Sequence, residues 1–397
     1  MHWLAERTTV DARPRWLAVG RSNDDDSRSA GANAARDAMT GDDARLLVVF
    51  TSDRYDLQAL LGGIAEVAPG VPVVGCSTAG EISASGPGDA GIVVMVLGGS
   101  GFTVATAAAR AEGSSLRDAS ATAAACVERT PPGGHRVLLL LADGLAGDQQ
   151  EVVRGAYQAV GAEVPLVGGC AGDGLKMKAT FQLHGTEVLD NAVVAAAIVS
   201  DAPIGIGVRH GWRRVGEPMM VTASDGNVVN ELDGFPALDV YLERLDAPVE
   251  ARTDPAAFTR FALTHPLGLS RRSGEEVRFV GGADVAARSL TCIAQVPRGG
   301  QAWIMEGDDE SVLAATDDAC REALHALGGR APLGLLAFDC IARRGVLGDM
   351  GIKREIQQIS GYASGAPVAG FYTYGEIART RGISGFHNQT LVVLALA

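Results

Sequence analysis

Two stretches near opposite ends of the chain carry the same polar residues at the same spacing. Each runs from a proline and a short apolar strand into a glycine, three residues that end in threonine, one further residue, and then Gly-Glu-Ile. Thr78 precedes Glu81 by three residues, as Thr373 precedes Glu376. A carboxylate held by a glycine loop at a strand end can bind an ammonium or hydroxyl group, although capping a neighbouring helix is as common. The repeated threonine favours a ligand pocket.

Two tyrosines flank the second threonine. Tyr372 and Tyr374 stand on either side of Thr373 in a chain with only 5% aromatic residues. We expect one of these rings to face a cavity and the other to pack in the core.

Cys340 is the cysteine whose surroundings favour chemistry. It follows a predicted strand, and Arg343 and Arg344 come shortly after it. Nearby cations lower the pKa of a thiol and favour the thiolate, which can act as a nucleophile, a redox sensor or a soft ligand. A small buried side chain at a strand end is the commoner role for such a cysteine. Cys76 and Cys170 lie inside the repeated loops, where packing is again the commoner role.

The seven histidines show no spaced pair of the kind that binds zinc. A single histidine is enough to hold a haem iron. His210 and His387 lie in glycine-flanked loops and are the candidates for that role, with ordinary hydrogen bonding as the commoner alternative. The sequence contains no standard motif for nucleotide phosphate binding, for a serine nucleophile or for a zinc protease.

The elements that position these residues repeat along the chain. Apolar runs of strand type at 45–50, 136–141 and 333–338 each precede a helical segment and a proline-led strand, and a further apolar strand follows each loop. A weaker third copy of the loop, 164–173, keeps an acid after glycine, Asp173, but has no threonine. Such repetition predicts one supersecondary unit used three times, with its equivalent loops on one side of the fold. In the first unit, Asp53 is expected to cap a helix over 55–67.

Composition narrows the class of protein. With 397 residues, 47% hydrophobic residues, 20% charged residues and a formal charge of −13, the chain is expected to be folded, and nucleic acids or anionic membranes are disfavoured as partners. No apolar run approaches the ~20 residues of a membrane helix. The six cysteines show no disulfide-framework spacing. We expect a cytoplasmic protein with reduced thiols.

The length exceeds what one hydrophobic core usually serves. We predict an α/β fold of two lobes, built from repeated strand-helix-strand-loop-strand units with mixed sheets. Residues 1–40 are expected to form an N-terminal extension with a short strand and a helix. Residues 41–235 would hold the first two units, and residues 236–397 the third.

Several segments resemble the FIST family. Residues 73–82, 165–173 and 231–237 look like the N-terminal FIST domain, whereas residues 339–344, Glu355, residues 370–377 and residues 387–390 look like the C-terminal FIST domain. The resemblance implies an intracellular sensory module for small ligands such as amino acids, which signals to kinases, cyclases or chemotaxis proteins. This chain is expected to carry no output domain and to act on a separate partner. One branch of the family, similar in size, binds haem and responds to nitric oxide through a histidine kinase.

These observations support three hypotheses. The first is a non-enzymatic ligand sensor whose pocket is formed by Cys340, Arg343, Tyr372, Thr373, Tyr374 and Glu376, with Thr78 and Glu81 as the matching wall. In it, Arg343 holds a ligand carboxylate through a bidentate pair, and Glu376 takes an ammonium or hydroxyl group. The second is a haem-based gas sensor that uses His210 or His387. The third is a thiol-dependent enzyme with Cys340 as nucleophile and His387 as base.

Overall fold

The computed structural model describes residues 14–111, 115–271, 274–380 and 385–397. It is a mixed α/β fold, 29% helical and 39% strand, as the sequence predicts. Within the expected N-terminal extension, a strand and a helix are present, and residues 1–13 lie outside the described residues. None of the described helices is long and apolar enough to cross a membrane.

Three units with the same order of elements, strand-helix-strand-helix followed by four strands, make up most of the fold. The first comprises β1 (Trp16–Ser22), α1 (Ser27–Ala38), β2 (Ala44–Thr51), α2 (Leu57–Val67), β3 (Val73–Ser77), β4 (Glu81–Ser83), β5 (Gly86–Gly88) and β6 (Ile92–Gly98). The second comprises β7 (Phe102–Arg110), α3 (Leu116–Ala124), a 3₁₀ turn (Ala125–Arg129), β8 (His135–Ala142), α4 (Gln150–Val160), β9 (Leu166–Cys170), β10 (Gln182–His184), β11 (Glu187–Leu189) and β12 (Ala192–Ser200).

The third unit begins with β13 (Ile204–Arg209) and is then interrupted by an inserted domain. The insert comprises β14 (Arg213–Asp225), β15 (Val228–Leu232), β16 (Phe235–Pro236), α5 (Ala237–Arg244), α6 (Val249–Thr253), α7 (Pro255–Ala262), β17 (Leu267–Arg271), β18 (Gly274–Arg278), β19 (Val280–Asp284), β20 (Ser289–Cys292) and β21 (Gln301–Glu306). The unit resumes with α8 (Asp309–His325), β22 (Gly334–Cys340), α9 (Ile341–Ala363), β23 (Val368–Thr373), β24 (Glu376–Arg379), β25 (Phe386–His387) and β26 (Leu391–Leu396). The insert forms its own sheet and hydrophobic core.

Each unit gives one hairpin to the sheet of another unit. The three six-stranded sheets have equivalent orders, β1-β6-β2-β3-β10-β11, β7-β12-β8-β9-β24-β25 and β13-β26-β22-β23-β4-β5. Thus β4–β5 of the first unit extends the third sheet, β24–β25 of the third unit extends the second, and β10–β11 of the second unit extends the first. The exchange is cyclic, which is the pattern of a pseudo-threefold arrangement.

The loops that follow β3, β9 and β23 are joined by the same cyclic pattern. Three equivalent backbone hydrogen bonds connect them: Ala79 N–H to the Tyr372 carbonyl, Tyr374 N–H to the Cys170 carbonyl, and Gly172 N–H to the Ser77 carbonyl. The loops of the three units therefore meet at one place, as expected from the repeats.

Aromatic rings from two units fill part of the core between the sheets. Phe50 of β2 stacks on Phe371 of β23 with ring centroids 4.7 Å apart, and Phe338 of β22 meets both rings edge-on. The repeated glycine of each loop motif has a steric reason. A Cβ at Gly370 would collide with the carbonyl of Ala337 on the neighbouring strand. A Cβ at Gly75 or at Gly168 would likewise collide with the carbonyl of Val49 or of Leu140.

The strands predicted at 45–50, 136–141 and 333–338 are β2, β8 and β22. The helix predicted at 55–67 is α2, but its cap is not Asp53. Asp56 lies directly before the helix and accepts the N–H groups of Gln58 and Ala59. Asp53 instead forms an ion pair with Lys176 at 2.5 Å.

Candidate functional site

The two Thr-Glu pairs have the same geometry. The Thr78 hydroxyl donates to Oε1 of Glu81 at 2.6 Å, and Oε2 of Glu81 accepts the N–H of Gly91 at 3.0 Å. Thr373 donates to Oε1 of Glu376 in the same way, and Oε2 of Glu376 accepts the N–H of Thr390 at 3.1 Å. Each glutamate therefore ties the beginning of an exchanged hairpin to the residue just before the unit's last strand.

Burial decides the protonation of both glutamates. It raises the pKa of Glu81 from 4.5 to about 7 and the pKa of Glu376 from 4.5 to about 8, because desolvation outweighs the hydrogen bonds that favour the carboxylate. The two pairs lie in different sheets, since β4 pairs with β23 whereas β24 pairs with β9. Of the two threonines, Thr78 lines the cleft described below, whereas Thr373 is fully buried and does not line it.

Cys340 lies beside Glu376, at the end of β22. Burial, followed by the nearby charge of Glu376, raises the pKa of its thiol well above the ordinary value. No hydrogen bond joins Cys340 to His387 among the described residues. The thiol is therefore protonated at neutral pH, and the surroundings that would activate a nucleophilic cysteine, a thiolate-stabilising cation and a partner base, are not assembled around it.

Arg343 is completely buried, and protein groups occupy its guanidinium. Nε donates to Asp339 at 2.7 Å, Nη1 donates to the His210 carbonyl at 3.0 Å, and Nη2 donates to Glu355 at 2.6 Å. Thr316 bridges the network by donating to Glu355 at 2.7 Å and accepting from Nη2. Desolvation, followed by the charge of Glu355, raises the pKa of Asp339 well above its usual range. The network binds β22 to α8 and α9.

Arg344, the next residue, reaches a cleft instead. Residues one apart on a helix point in different directions, so Arg343 enters the core while Arg344 extends over Gly80 and the ring of Tyr372. Its Nη1 donates to the Ala79 carbonyl at 3.1 Å, its Nη2 pairs with Asp89, and its carbon Cζ lies 4.9 Å from the Tyr372 centroid. The Arg344 side chain is 18% exposed and that of Asp89 is 74% exposed.

All three units line this cleft, which we call the seam cleft. Its volume is about 450 Å³. The first unit contributes hydroxyls and carboxylates, the second a loop, and the third the beginning of α9; the lining residues are Ser52, Asp53, Thr78, Ala79, Gly80, Asp89, Gly174, Leu175, Ile341, Arg344, Gly345 and Gly348. The cleft thus combines one cation with two carboxylates and two hydroxyls.

The second-unit wall of the cleft has an unusual backbone. Leu175 and Met177 have φ values of +65° and +52°, a conformation that non-glycine residues seldom adopt and that is often found at functional sites. Asp173 stabilises it by accepting the N–H groups of Met177, Lys178 and Ala179. The loop is therefore fixed in place beside the cleft.

The two tyrosines have different partners. Tyr372 is completely buried, and its ring forms the floor beneath Arg344. The Tyr374 hydroxyl donates to Asp173 and accepts the N–H of Leu175 at 2.7 Å, so it supports the loop on the second-unit wall. Neither tyrosine is among the residues that line the cleft directly.

The two histidines proposed as haem ligands already have hydrogen-bond partners in the protein. Nε2 of His387 hydrogen-bonds with the Ala378 carbonyl at 2.9 Å, and burial lowers its pKa. Nδ1 of His210 accepts the N–H of Trp212 at 3.0 Å, and its Nε2 lies 3.7 Å from Glu275. Neither histidine lines the seam cleft. Within the described ranges, no cluster of three or more His, Cys, Asp or Glu side chains is placed to hold a metal ion.

Thr78, which the sequence suggested as a pocket wall, lines the cleft, and so do four residues that the sequence did not suggest for a site: Arg344, Asp53, Asp89 and Leu175. The pair Arg343-Arg344 held the relevant signal, because consecutive arginines after a buried strand cannot both point into the core. Asp89 gives no such signal, since it reaches Arg344 only through the exchange of the β4–β5 hairpin.

Comparison with known proteins identifies the family. The model of the FIST N domain matches residues 45–234, and that of the FIST C domain matches residues 237–379. Together they cover nearly the whole chain. The chain therefore belongs to the FIST family, whose domains are associated with sensory signal transduction.

Two relatives show how far the similarity extends. An uncharacterised protein of Mycobacterium tuberculosis is 26% identical over 232 residues, which span 57% of this chain and 59% of the relative. An uncharacterised protein of Methanocaldococcus jannaschii is 30% identical over 122 residues, which span 29% of this chain and 24% of the relative. The chain thus matches less than two thirds of either relative. Among solved structures, cyanuric acid hydrolase from A. caulinodans matches with a TM-score of 0.28 and 14% identity, covering 47% of this chain and 71% of that one.

Proposed function

We propose that this protein is a small-ligand sensor in signal transduction, and that its ligand binds in the seam cleft. The observation that carries the proposal is the position of Arg344. Its guanidinium reaches a cleft lined by three interlocked units, and its ionic partner, Asp89, is mostly exposed. An exposed ion pair contributes at most about 1 kcal/mol, so a ligand anion can replace Asp89 at small cost.

The charges of the cleft favour a ligand that carries both signs. A ligand carboxylate pairs with Arg344, which matches its planar geometry. An ammonium group then lies near the released Asp89, since Asp53 is already paired with Lys176, and the hydroxyl of Ser52 supplies a further hydrogen bond. An amino acid has this chemistry. In this proposal, Arg344 takes the carboxylate-binding role that the sequence assigned to Arg343.

The proposal assigns the protein a binding role rather than a catalytic one. Cys340 is buried with a raised pKa, and among the described residues no hydrogen bond joins it to His387, which disfavours a thiol nucleophile. Ligand binding changes contacts at a seam of three units, and a signalling protein such as a histidine kinase or cyclase reads that change. We place this function in the cytoplasm, which agrees with six cysteines that are all buried and free.

A thermal-shift screen of amino acids and small carboxylates tests the proposal. We expect at least one compound to raise the Tm of the wild type and not that of Arg344→Ala. Arg354→Ala is the matched control, because Arg354 lies in α9 beyond the kink at Gly348 and forms an exposed pair with Glu310. The proposal fails if no compound in the panel stabilises the wild type, or if Arg344→Ala responds as the wild type does.

A further inference from the structure

A tight turn in the inserted domain presents a phenylalanine to solvent. Asp233 and Gly234 join β15 to β16 with φ values of +54° and +82°, the conformation of a two-residue hairpin turn. Oδ1 of Asp233 accepts the N–H of Met220 at 2.7 Å, and its Oδ2 pairs with Arg244 at 3.2 Å. The turn is thus anchored on both sides, yet Phe235, which follows it, is 65% exposed. Phe235 is not among the residues that line the seam cleft.

Exposed carboxylates lie on the segments next to the Phe235 turn. Glu231 lies opposite Pro236 in the hairpin. Arg244 contacts both Asp233 and the Glu217 carbonyl. Glu243 comes directly before Arg244 in the sequence, and Asp246 follows two residues after it. Among the described residues, Glu217, Glu231, Glu243 and Asp246 form no ion pair. Arg244 is already paired with Asp233. We call Met220, Phe235 and these four carboxylates the Phe235 surface. It combines two exposed apolar side chains, Phe235 and the 41% exposed Met220, with the four exposed acids, which we call the rim carboxylates.

The inserted domain also contacts the wall of the cleft. Leu263, which follows α7, packs against Gly345, a residue that lines the seam cleft. Nε2 of Gln389 donates to the Leu263 carbonyl at 2.7 Å, and Arg343 donates to the His210 carbonyl. Equivalent positions in the first two units carry only a short connection between strand and helix. The insert is therefore a feature of one unit that lies against α9.

We propose that the Phe235 surface docks a basic amphipathic helix of a signalling partner. Charge complementarity carries the choice of partner: lysine or arginine side chains on the helix would meet the rim carboxylates, and its apolar face would cover Phe235 and Met220. A few anchor side chains, often aromatic, commonly supply most of the binding energy of an interface. The inference concerns a site separate from the cleft and does not require a cleft ligand.

The test measures binding of two fluorescent synthetic peptides to the full chain by anisotropy. One peptide carries leucines on one helical face and lysines beside them, and the other has the same composition in scrambled order. We expect the patterned peptide to bind the wild type more tightly. Phe235→Ser should weaken its binding about tenfold or more, and Glu231→Gln combined with Glu243→Gln should reduce the dependence of its binding on salt.

Val285→Ser is the matched control, since Val285 is a 60% exposed apolar residue of the same domain outside this surface, and it should bind as the wild type does. Circular dichroism verifies that each variant is folded. Equal binding of both peptides, absence of binding by the patterned peptide, or wild-type affinity in Phe235→Ser overturns the proposal. The result is separable from that of the cleft, because Arg344→Ala should leave peptide binding unchanged.

Discussion

Gln182 occupies in the second unit the position that Glu81 holds in the first. Oε1 of Gln182 accepts the N–H of Ala192, just as Oε2 of Glu81 accepts the N–H of Gly91. Gln182 also stands opposite Cys76 in its sheet, as Glu81 stands opposite Phe371 in another. The fold thus accepts an amide where two of the three units have a buried carboxyl group. The acid of the third sequence copy, Asp173, belongs to the loop before this position.

Glu376→Gln should therefore preserve the fold and remove a pH dependence. The folded-state pKa of Glu376, about 8, lies above the ordinary value of 4.5. The stability that protonated Glu376 contributes is fully present below the ordinary pKa of 4.5 and is lost as the pH rises through the folded-state pKa of about 8. Relative to wild type, the variant should gain roughly 2–4 kcal/mol in the free energy of unfolding between pH 5 and pH 8.5. Urea titrations at the two pH values measure the free energy of unfolding of the variant and of the wild type. If the difference between them is the same at both pH values, Glu376 is not protonated in the folded state.

The neighbouring arginines should differ sharply in their effect on stability. Arg343→Met leaves the buried Asp339 and Glu355 without their cation, and breaking a buried ion pair costs about 3–5 kcal/mol. Arg344→Ala removes a partly exposed pair and should cost about 1 kcal/mol or less. Chemical denaturation of both variants checks this order. Similar losses in the two variants would mean that the buried network does not bind β22 to the helices as described.

Cys340 should react slowly with thiol reagents in the folded protein. Its burial and raised pKa leave almost no thiolate at neutral pH. Iodoacetamide labelling followed by peptide mass spectrometry should show modification of Cys340 only after denaturant is added. Cys340→Ala should retain ligand binding in the thermal-shift screen. Rapid labelling at pH 7, faster than that of the other buried cysteines, would revive the thiol-dependent enzyme as an alternative.

Haem binding through His210 or His387 is expected to fail. Each ring already makes a hydrogen bond to the protein backbone, and neither lines the seam cleft. After haemin is added, the visible spectrum should show no ligated-haem band that depends on either histidine. A band that shifts with nitric oxide and disappears in His210→Ala or His387→Ala would show that the haem hypothesis was correct.

The sequence reveals the repeats because each unit must meet the same local demands. The glycine of each loop motif packs against a neighbouring strand, and the threonine and glutamate that follow in two copies close the loop. Those demands act within a few residues of one another, so they leave a readable pattern. The strands and the meeting of the loops were predicted for this reason.

The exchange of hairpins leaves no such local pattern. Whether β4 pairs within its own unit or with β23 depends on contacts between residues that are far apart in sequence. The same limitation explains the site: Asp89 and Leu175 reach the cleft only because the units interlock. The loop before Gln182 is longer than its equivalents, which hid the correspondence between Gln182 and Glu81.

Arg344 is the residue that we propose holds the ligand in the seam cleft. Isothermal titration calorimetry with the amino acid or carboxylate that most raises the Tm tests this role directly, using the wild type, Arg344→Lys, Arg344→Ala and Arg354→Ala. We expect binding by the wild type and Arg354→Ala, weaker binding by Arg344→Lys because lysine cannot form the bidentate pair, and none by Arg344→Ala. Unchanged affinity in Arg344→Ala would contradict this role and place the ligand elsewhere.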